Sequence, residues 1–335
     1  MEQQDILSMT LPELQAAVQE LGEPKFRAKQ IFNWLHQKRV TDFSEMTTLS
    51  LPFRKRLASD FCINWLKIAK RLASSVDDTV KYLYELPDGN YVETVCMQYH
   101  HGTSLCISTQ VGCRMGCRFC ASAIAGFVRN LTPAEMLLQI YETERAQNCK
   151  ISSLVLMGIG EPLDNFDNVL RFLQLLSDPN GYGMSLRHVT VSTCGVVPKI
   201  LELAEQRLGL TLSVSLHCPN DAGRSAIDVL LDACQTYFEK TGRRVTFEYA
   251  VMDQVNSAEQ DAAALAECLK GLHAHVNLIP INPVKERNFH TLKKTVLQFQ
   301  KTLERYGIPA TIRRTLGSDI EAACGQLRRD AIQQT

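Results

Sequence analysis

Several protein classes are excluded by what this chain lacks. No apolar run in its 335 residues approaches the roughly 18 needed to cross a bilayer. Its start, Met1-Glu2-Gln3-Gln4-Asp5, has none of the basic-then-apolar pattern of a secretory leader. Net charge is also missing: 36 basic residues balance 36 acidic ones, so the total says nothing about a nucleic-acid partner. With 18 Gly, 12 Pro and 45% hydrophobic residues, the composition excludes collagen-like, low-complexity and disordered chains. What remains is a soluble globular protein of one large domain or two ordinary ones, expected in the cytoplasm and away from membranes. In a reducing compartment its 12 cysteines are metal ligands, catalytic thiols or buried small hydrophobes before they are disulfide staples.

Charge is uneven along the chain. Between Pro24 and Ser75 stand Lys25, Arg27, Lys29, Lys38, Arg39, Arg54, Lys55, Arg56, Lys67, Lys70 and Arg71 against only Asp42, Glu45 and Asp60. A basic module on an acidic body suits a surface that meets phosphates, although a solvated helical face has the same composition. This first unit, residues 1–67, reads as short helices. Thr10-Leu11-Pro12-Glu13 is a capping box, and a second helix over about Lys25–Lys38 is expected to turn Phe26, Ile31, Phe32 and Leu35 inward. Residues 68–98 read as strands around the turn Pro87-Asp88-Gly89-Asn90, forming a connector.

From residue 99 to 335 strand and helix signals alternate. Strands are expected at Ser104–Ser108, Ser153–Met157, His188–Thr193, Leu210–Leu216, Val245–Met252 and Val276–Ile281, and a capping box at Thr132-Pro133-Ala134-Glu135 opens the clearest helix. Six such units predict an α/β fold with a parallel sheet, doubly wound or curved into an incomplete (β/α)6 barrel, with ligand chemistry at the C-terminal strand ends.

Directly after the first of these strands, Cys113, Cys117 and Cys120 are spaced C-x3-C-x2-C on one short loop. A structural zinc site normally closes with four ligands, and the next cysteine, Cys149, falls on a predicted helix. A [4Fe–4S] cluster held by three thiolates leaves one iron open for the amino and carboxylate groups of S-adenosylmethionine (SAM). Zinc or buried core thiols are the competing readings. Gly158-Ile159-Gly160-Glu161-Pro162 follows the second strand: its glycines permit close backbone approach to a ligand, and Glu161 is able to accept from a ligand amine. As a dinucleotide fingerprint it fails, for want of a third glycine.

These residues, together with Glu93-Thr94-Val95, Cys106-Ile107-Ser108, Ser192-Thr193-Cys194-Gly195, Ser215-Leu216-His217, Asn277 to Pro283 and Asp319 to Leu327, closely resemble the RlmN/Cfr family of radical-SAM RNA methyltransferases. The resemblance implies a radical-SAM partial barrel, a [4Fe–4S] cluster on Cys113, Cys117 and Cys120, and two SAM molecules per turnover. It implies SAM contacts from Gly160, Glu161, Ser192, Ser215, Leu216, His217 and Asn282. Adenine C2 and C8 are electron-poor carbons without a lone pair, so direct methyl displacement is closed to them. The family's route implies instead a methyl carried on Cys324, activated to a radical that adds to adenine. Cys106 then releases the RNA with a transient Cys106–Cys324 disulfide, and Glu93, with Cys106 as rival, removes the ring proton.

The substrates implied are adenine C2 of 23S rRNA and of tRNA, with flavodoxin or ferredoxin as electron donor and a monomeric enzyme. Cfr-type methylation of C8, which gives antibiotic resistance, is the alternative within the family; a non-catalytic RNA-binding protein with a structural metal site is the alternative outside it. Gln110 to Cys113, Pro162 and Arg313 to Asp319 look more RlmN-like. One departure stands between Arg224 and Asp228, where a short loop usual in the family is missing. Cys62, Cys96, Cys149, Cys194, Cys218, Cys234 and Cys268 are expected to be structural.

Overall fold

The computed structural model describes residues 3–117, 119–124, 126–217, 227–281, 290–317, 319–320 and 326–334. Asn282, Cys324, Cys218 and the departure near Arg224 lie outside them.

Two strands of two residues, β1 (Gln4–Asp5) and β2 (Phe61–Cys62), pair in parallel and close the N-terminal unit. Between them run α1 (Leu11–Glu20), α2 (Phe26–His36) and α3 (Leu51–Asp60), each with proline in the first turn except α2. Ile31, Phe32 and Leu35 face inward as expected. Phe26 does not: it is 55% exposed at the first turn of α2, with the Arg27 guanidinium over its ring. Nor are all the basic residues available to phosphates. Arg39 pairs with Glu144, Lys67 with Glu85, and Arg56 donates to the Leu21 carbonyl.

The sheet begins with β3 (Lys67–Ala73), β4 (Val80–Glu85), β5 (Tyr91–Tyr99) and β6 (Gly102–Cys106), an antiparallel meander in which the Pro87–Asn90 turn joins β4 to β5. A separate ribbon of β7 (Gln110–Gly112) and β8 (Phe127–Asn130) leads into α4 (Pro133–Gln147), whose capping box forms as the sequence predicts. Parallel units follow: β9 (Ile151–Leu156), α5 (Phe166–Ser177), β10 (Val189–Thr193), α6 (Val197–Glu205), β11 (Thr211–Ser215), α7 (Ile227–Thr241), β12 (Val245–Val251), α8 (Glu259–Cys268), β13 (Ala274–Pro280) and α9 (Lys293–Arg305). Then come β14 (Ala310–Ile312) and α10 (Gln326–Gln334).

All but β1, β2, β7 and β8 join one ten-stranded sheet in the order β14-β13-β12-β11-β10-β9-β6-β5-β4-β3. The six expected strands are β6 and β9–β13, parallel throughout, and β14 adds a seventh beside β13. The segment read as a connector thus extends the same sheet through β3–β5. Of these, β4 and β5 are buried, while the edge strand β3 is almost wholly exposed. The N-terminal helices share this core: Ile6, Phe32, Leu137 and Leu176 belong to one continuous apolar cluster. Buried His36 bridges the two units by bonding Tyr141 Oη at 3.0 Å.

Candidate functional site

At the C-terminal ends of the parallel strands lies a cavity of about 320 Å³. Cys113, Cys117, Cys120, Gly160, Glu161, Ser192, Ser215 and His217 all line it, so eight positions scattered over 105 residues of sequence converge. The loop carrying the three thiols is braced at its root by the β7–β8 ribbon, where Cys113 N–H donates to Gly126 O. Arg114 pairs with Asp164 at 2.9 Å while its guanidinium lies 3.9 Å from the centre of the Phe127 ring. Burial pushes the Cys113 thiol up to about 11, and Cys120 and Cys117 push it in the same direction. Ionising these thiols together therefore calls for a cationic partner. Thiolates that each bind a different iron need not meet at one point, and among the described residues no three Cys, His, Asp or Glu side chains gather round a single-ion site. The donor set fits a multi-iron cluster.

The Gly158–Pro162 turn packs against the strand end before the thiol loop. A Cβ on Gly158 would stand 2.6 Å from Ile107 O, and one on Gly160, at φ +110°, 2.6 Å from Gln110 Cβ. The close approach expected of these glycines is thus made to the neighbouring loop. Gln110 locks that contact: its Oε1 accepts from Glu161 N–H at 2.8 Å, and its Nε2 donates to Asp164 at 2.7 Å. Glu161 in turn accepts from Cys194 N–H at 2.7 Å and Leu163 N–H at 2.9 Å. Burial raises its carboxyl from the usual range against the pull of these hydrogen bonds. An ammonium group arriving in the cavity meets a carboxylate already oriented by backbone donors.

Across the cavity His217 Nδ1 accepts from Ala250 N–H at 3.1 Å, which assigns the ring proton to Nε2. The Phe119 ring meets His217 edge-on at 4.8 Å. The floor is polar, with Glu248 accepting from Ser213 Oγ at 2.8 Å and Asn277 Nδ2 at 2.9 Å. Leu216 is buried beside this floor, its N–H donating to Glu248 O, and does not line the cavity.

Among the lining residues to which sequence reasoning gave no role in the site are Cys194, Met157, Glu248 and Arg313. Cys194, expected to be structural, directly follows the last residue of β10, and that position was its signal. Arg313 Nη1 lies 3.2 Å from Met157 Sδ.

Cys106 stands at the end of β6, buried among Val95, Met97, Val155, Met157 and Leu316. Met157 links this apolar pocket to the cavity. Glu93, on β5, shares the Cys106 face of the sheet, because Val95 pairs with Cys106 and Glu93 lies two residues from Val95. The Glu93 carbonyl accepts from Ser108 Oγ at 2.6 Å, just beyond β6, so Glu93 lies past Cys106 toward the strand ends.

Residues 4–63 match the family model for the ribosomal RNA large subunit methyltransferase N-terminal domain, and residues 107–266 that of the radical SAM superfamily. The chain is 49% identical to a probable dual-specificity RNA methyltransferase RlmN of Lachnoclostridium phytofermentans, over 99% of this chain and 96% of that protein. It is 46% identical to one of the same description from Clostridium novyi, over 98% and 99%. A radical SAM methyltransferase from Sphaerobacter thermophilus, known by crystal structure, superposes with a TM-score of 0.91 at 38% identity, covering 96% of this chain and 98% of that one.

Proposed function

Since the chain belongs to the RlmN family of radical-SAM RNA methyltransferases, we propose that it places a methyl group on adenine C2 of 23S rRNA and of tRNA. The observation that carries this reading is the convergence of three thiols and an oriented, buried Glu161 on one cavity, with the buried Cys106 next to it. Cys113, Cys117 and Cys120 hold the [4Fe–4S] cluster. Glu161 and Gly160 receive the SAM amino group; Ser192, Ser215, His217 and Asn282 contact the rest of SAM, and Leu216, buried behind them, supports the Glu248 floor. When bound, the cluster and SAM supply the methyl group and the carbon radical that activates it.

The chain's own residues do the remainder. Cys324 carries the methyl. Glu93 takes the ring proton. Cys106 attacks the Cys324 sulfur, forming an S–S bond as the S–C bond to the RNA breaks, and reduction of that disulfide resets the enzyme. The apolar surroundings of Cys106 keep competing thiols away from it until the RNA-linked sulfur is in place. The N-terminal basic unit grips RNA phosphates; the enzyme works in the cytoplasm as a monomer, reduced by a flavodoxin or ferredoxin.

The test is mass spectrometry of nucleosides from rRNA and tRNA of a host that lacks its own C2 methyltransferase, complemented with this chain. 2-Methyladenosine in both RNAs is the expected result. 8-Methyladenosine would instead establish the Cfr-type reaction, and unmodified RNA from a host expressing iron-loaded protein would overturn the enzymatic reading. In parallel, Cys106→Ala should stall as a nuclease-sensitive protein–RNA adduct that Cys106→Ala/Cys324→Ala does not form.

A further inference from the structure

On the inner face of the antiparallel part of the sheet, Lys81 Nζ of β4 and Glu93 Oε2 of β5 stand 2.9 Å apart, with side chains 0% and 1% exposed. Such a pair is costly to bury: removing two charges from water offsets most of their attraction, and apolar residues of similar size commonly serve stability as well. A strand packed against this core has no need of a lysine. The pair is also not isolated from the chemistry. Glu93 and Cys106 share a face, Glu93 lies on the side of the strand ends, and its other oxygen, Oε1, accepts from Arg328 N–H of α10 at 2.8 Å. That bond lies in the first turn of α10, where helix N–H groups lack partners and favour an anion.

We propose that Lys81 is a positioning residue for the methyl transfer: its ammonium holds the Glu93 carboxyl group aimed so that it accepts the adenine ring proton. The inference rests on the reading of Glu93 as the base. The step is a proton transfer. The C–H bond at the substituted ring carbon breaks, its electron pair re-enters the cationic ring, and the proton goes to a Glu93 oxygen. Among the described residues, the titratable and charged groups facing Glu93 are Lys81 on β4, Cys106 on β6 and Arg328 on α10.

The experiment follows decay of the protein–RNA adduct in full-length, iron-loaded enzyme, using RNA with hydrogen or deuterium at adenine C2. Lys81→Met should slow decay about a hundredfold at pH 7, within the range a positioned base contributes. The slowed step should show a primary isotope effect, and Lys81→Arg should restore most of the rate. Lys81→Met/Glu93→Gln should be no slower than Glu93→Gln, and this comparison decides the matter if Lys81→Met alone does not fold, since the double variant removes both charges of the Lys81–Glu93 pair. Wild-type decay in Lys81→Met, slowing without an isotope effect, or a double variant slower than Glu93→Gln overturns the proposal while the base reading stands. Wild-type decay in Glu93→Gln overturns the base reading, and this inference with it.

Discussion

Substituting Gly160 by alanine tests whether the turn that carries Glu161 is built for SAM. The new Cβ would lie 2.6 Å from Gln110 Cβ and 2.8 Å from Gln110 N, so a rotamer change cannot relieve it, and the backbone sits at φ +110°. Strain at such a φ costs on the order of 1–3 kcal/mol and overpacking a comparable amount, which suggests about 3 kcal/mol after partial relaxation. Relaxation has one direction available: the turn moves off Gln110, breaking the 2.8 Å bond to Glu161 N–H and carrying the carboxylate with it. A misplaced charge-assisted hydrogen bond is worth about 1.5–3 kcal/mol, so SAM affinity should fall roughly 10- to 100-fold. Gly89→Ala is the control. It too replaces a glycine at positive φ, +81°, yet no atom lies within 4 Å of the new Cβ. It should cost about 1 kcal/mol and leave SAM binding unchanged. Equilibrium dialysis of SAM against reconstituted protein, with iron content measured on the same samples, gives the answer. Wild-type SAM affinity in Gly160→Ala would refute the reasoning, as would equal losses in both variants.

Other consequences are as direct. Cys117→Ala should abolish iron loading and the broad visible absorption while circular dichroism stays near wild type; retained iron would remove this thiol from the cluster. Reversing the charges of Lys25, Lys29 and Lys38 should lower the slope of log K against log salt by about one unit for each phosphate these lysines neutralise, and an unchanged slope would make the basic face merely solvated. Burial holds His36 neutral with its pKa down at about 4, opposed by Asp178. The unfolded chain binds a proton below about 6.5 that the fold refuses, so stability falls as pH drops from there toward 4, by roughly 2 kcal/mol at pH 5 relative to pH 7. Urea midpoints at pH 7 and 5 should show this loss in the wild type and a much smaller one in His36→Gln; equal losses would place the pH sensitivity elsewhere.

Most of the fold was legible because its signals are local. The capping box Thr132–Glu135 contains its own hydrogen-bond partners, and strands such as β11 and β13 are short apolar runs bounded by turn residues, so each is recognisable without its neighbours. β14 escaped because three residues carry no period; pairing with β13 makes Ala310–Ile312 a strand. Phe26 misled for a related reason, since at the first position of a helix the spacing rule does not say whether anything packs above it. In the site, the three cysteines were readable because chemistry fixes their spacing, and Gly158 and Gly160 because backbone approach demands glycine.

Lys81 shows what sequence could not supply. In Val80-Lys81-Tyr82-Leu83-Tyr84 a lysine alternating with large side chains reads as the solvent face of a strand, and β3 alongside does expose its Lys67 and Lys70. Its burial depends on α10, which arrives some 245 residues later and packs on β5. The same arrival supplies the Arg328 N–H that holds Glu93, so one late helix makes a buried ion pair from two residues that alternate harmlessly in the sequence. Residues whose role is fixed by contacts distant in sequence carry no local signature, and the groups that position a reactive residue are commonly of this kind. Here a charge placed where stability does not call for it marked Lys81 as such a group.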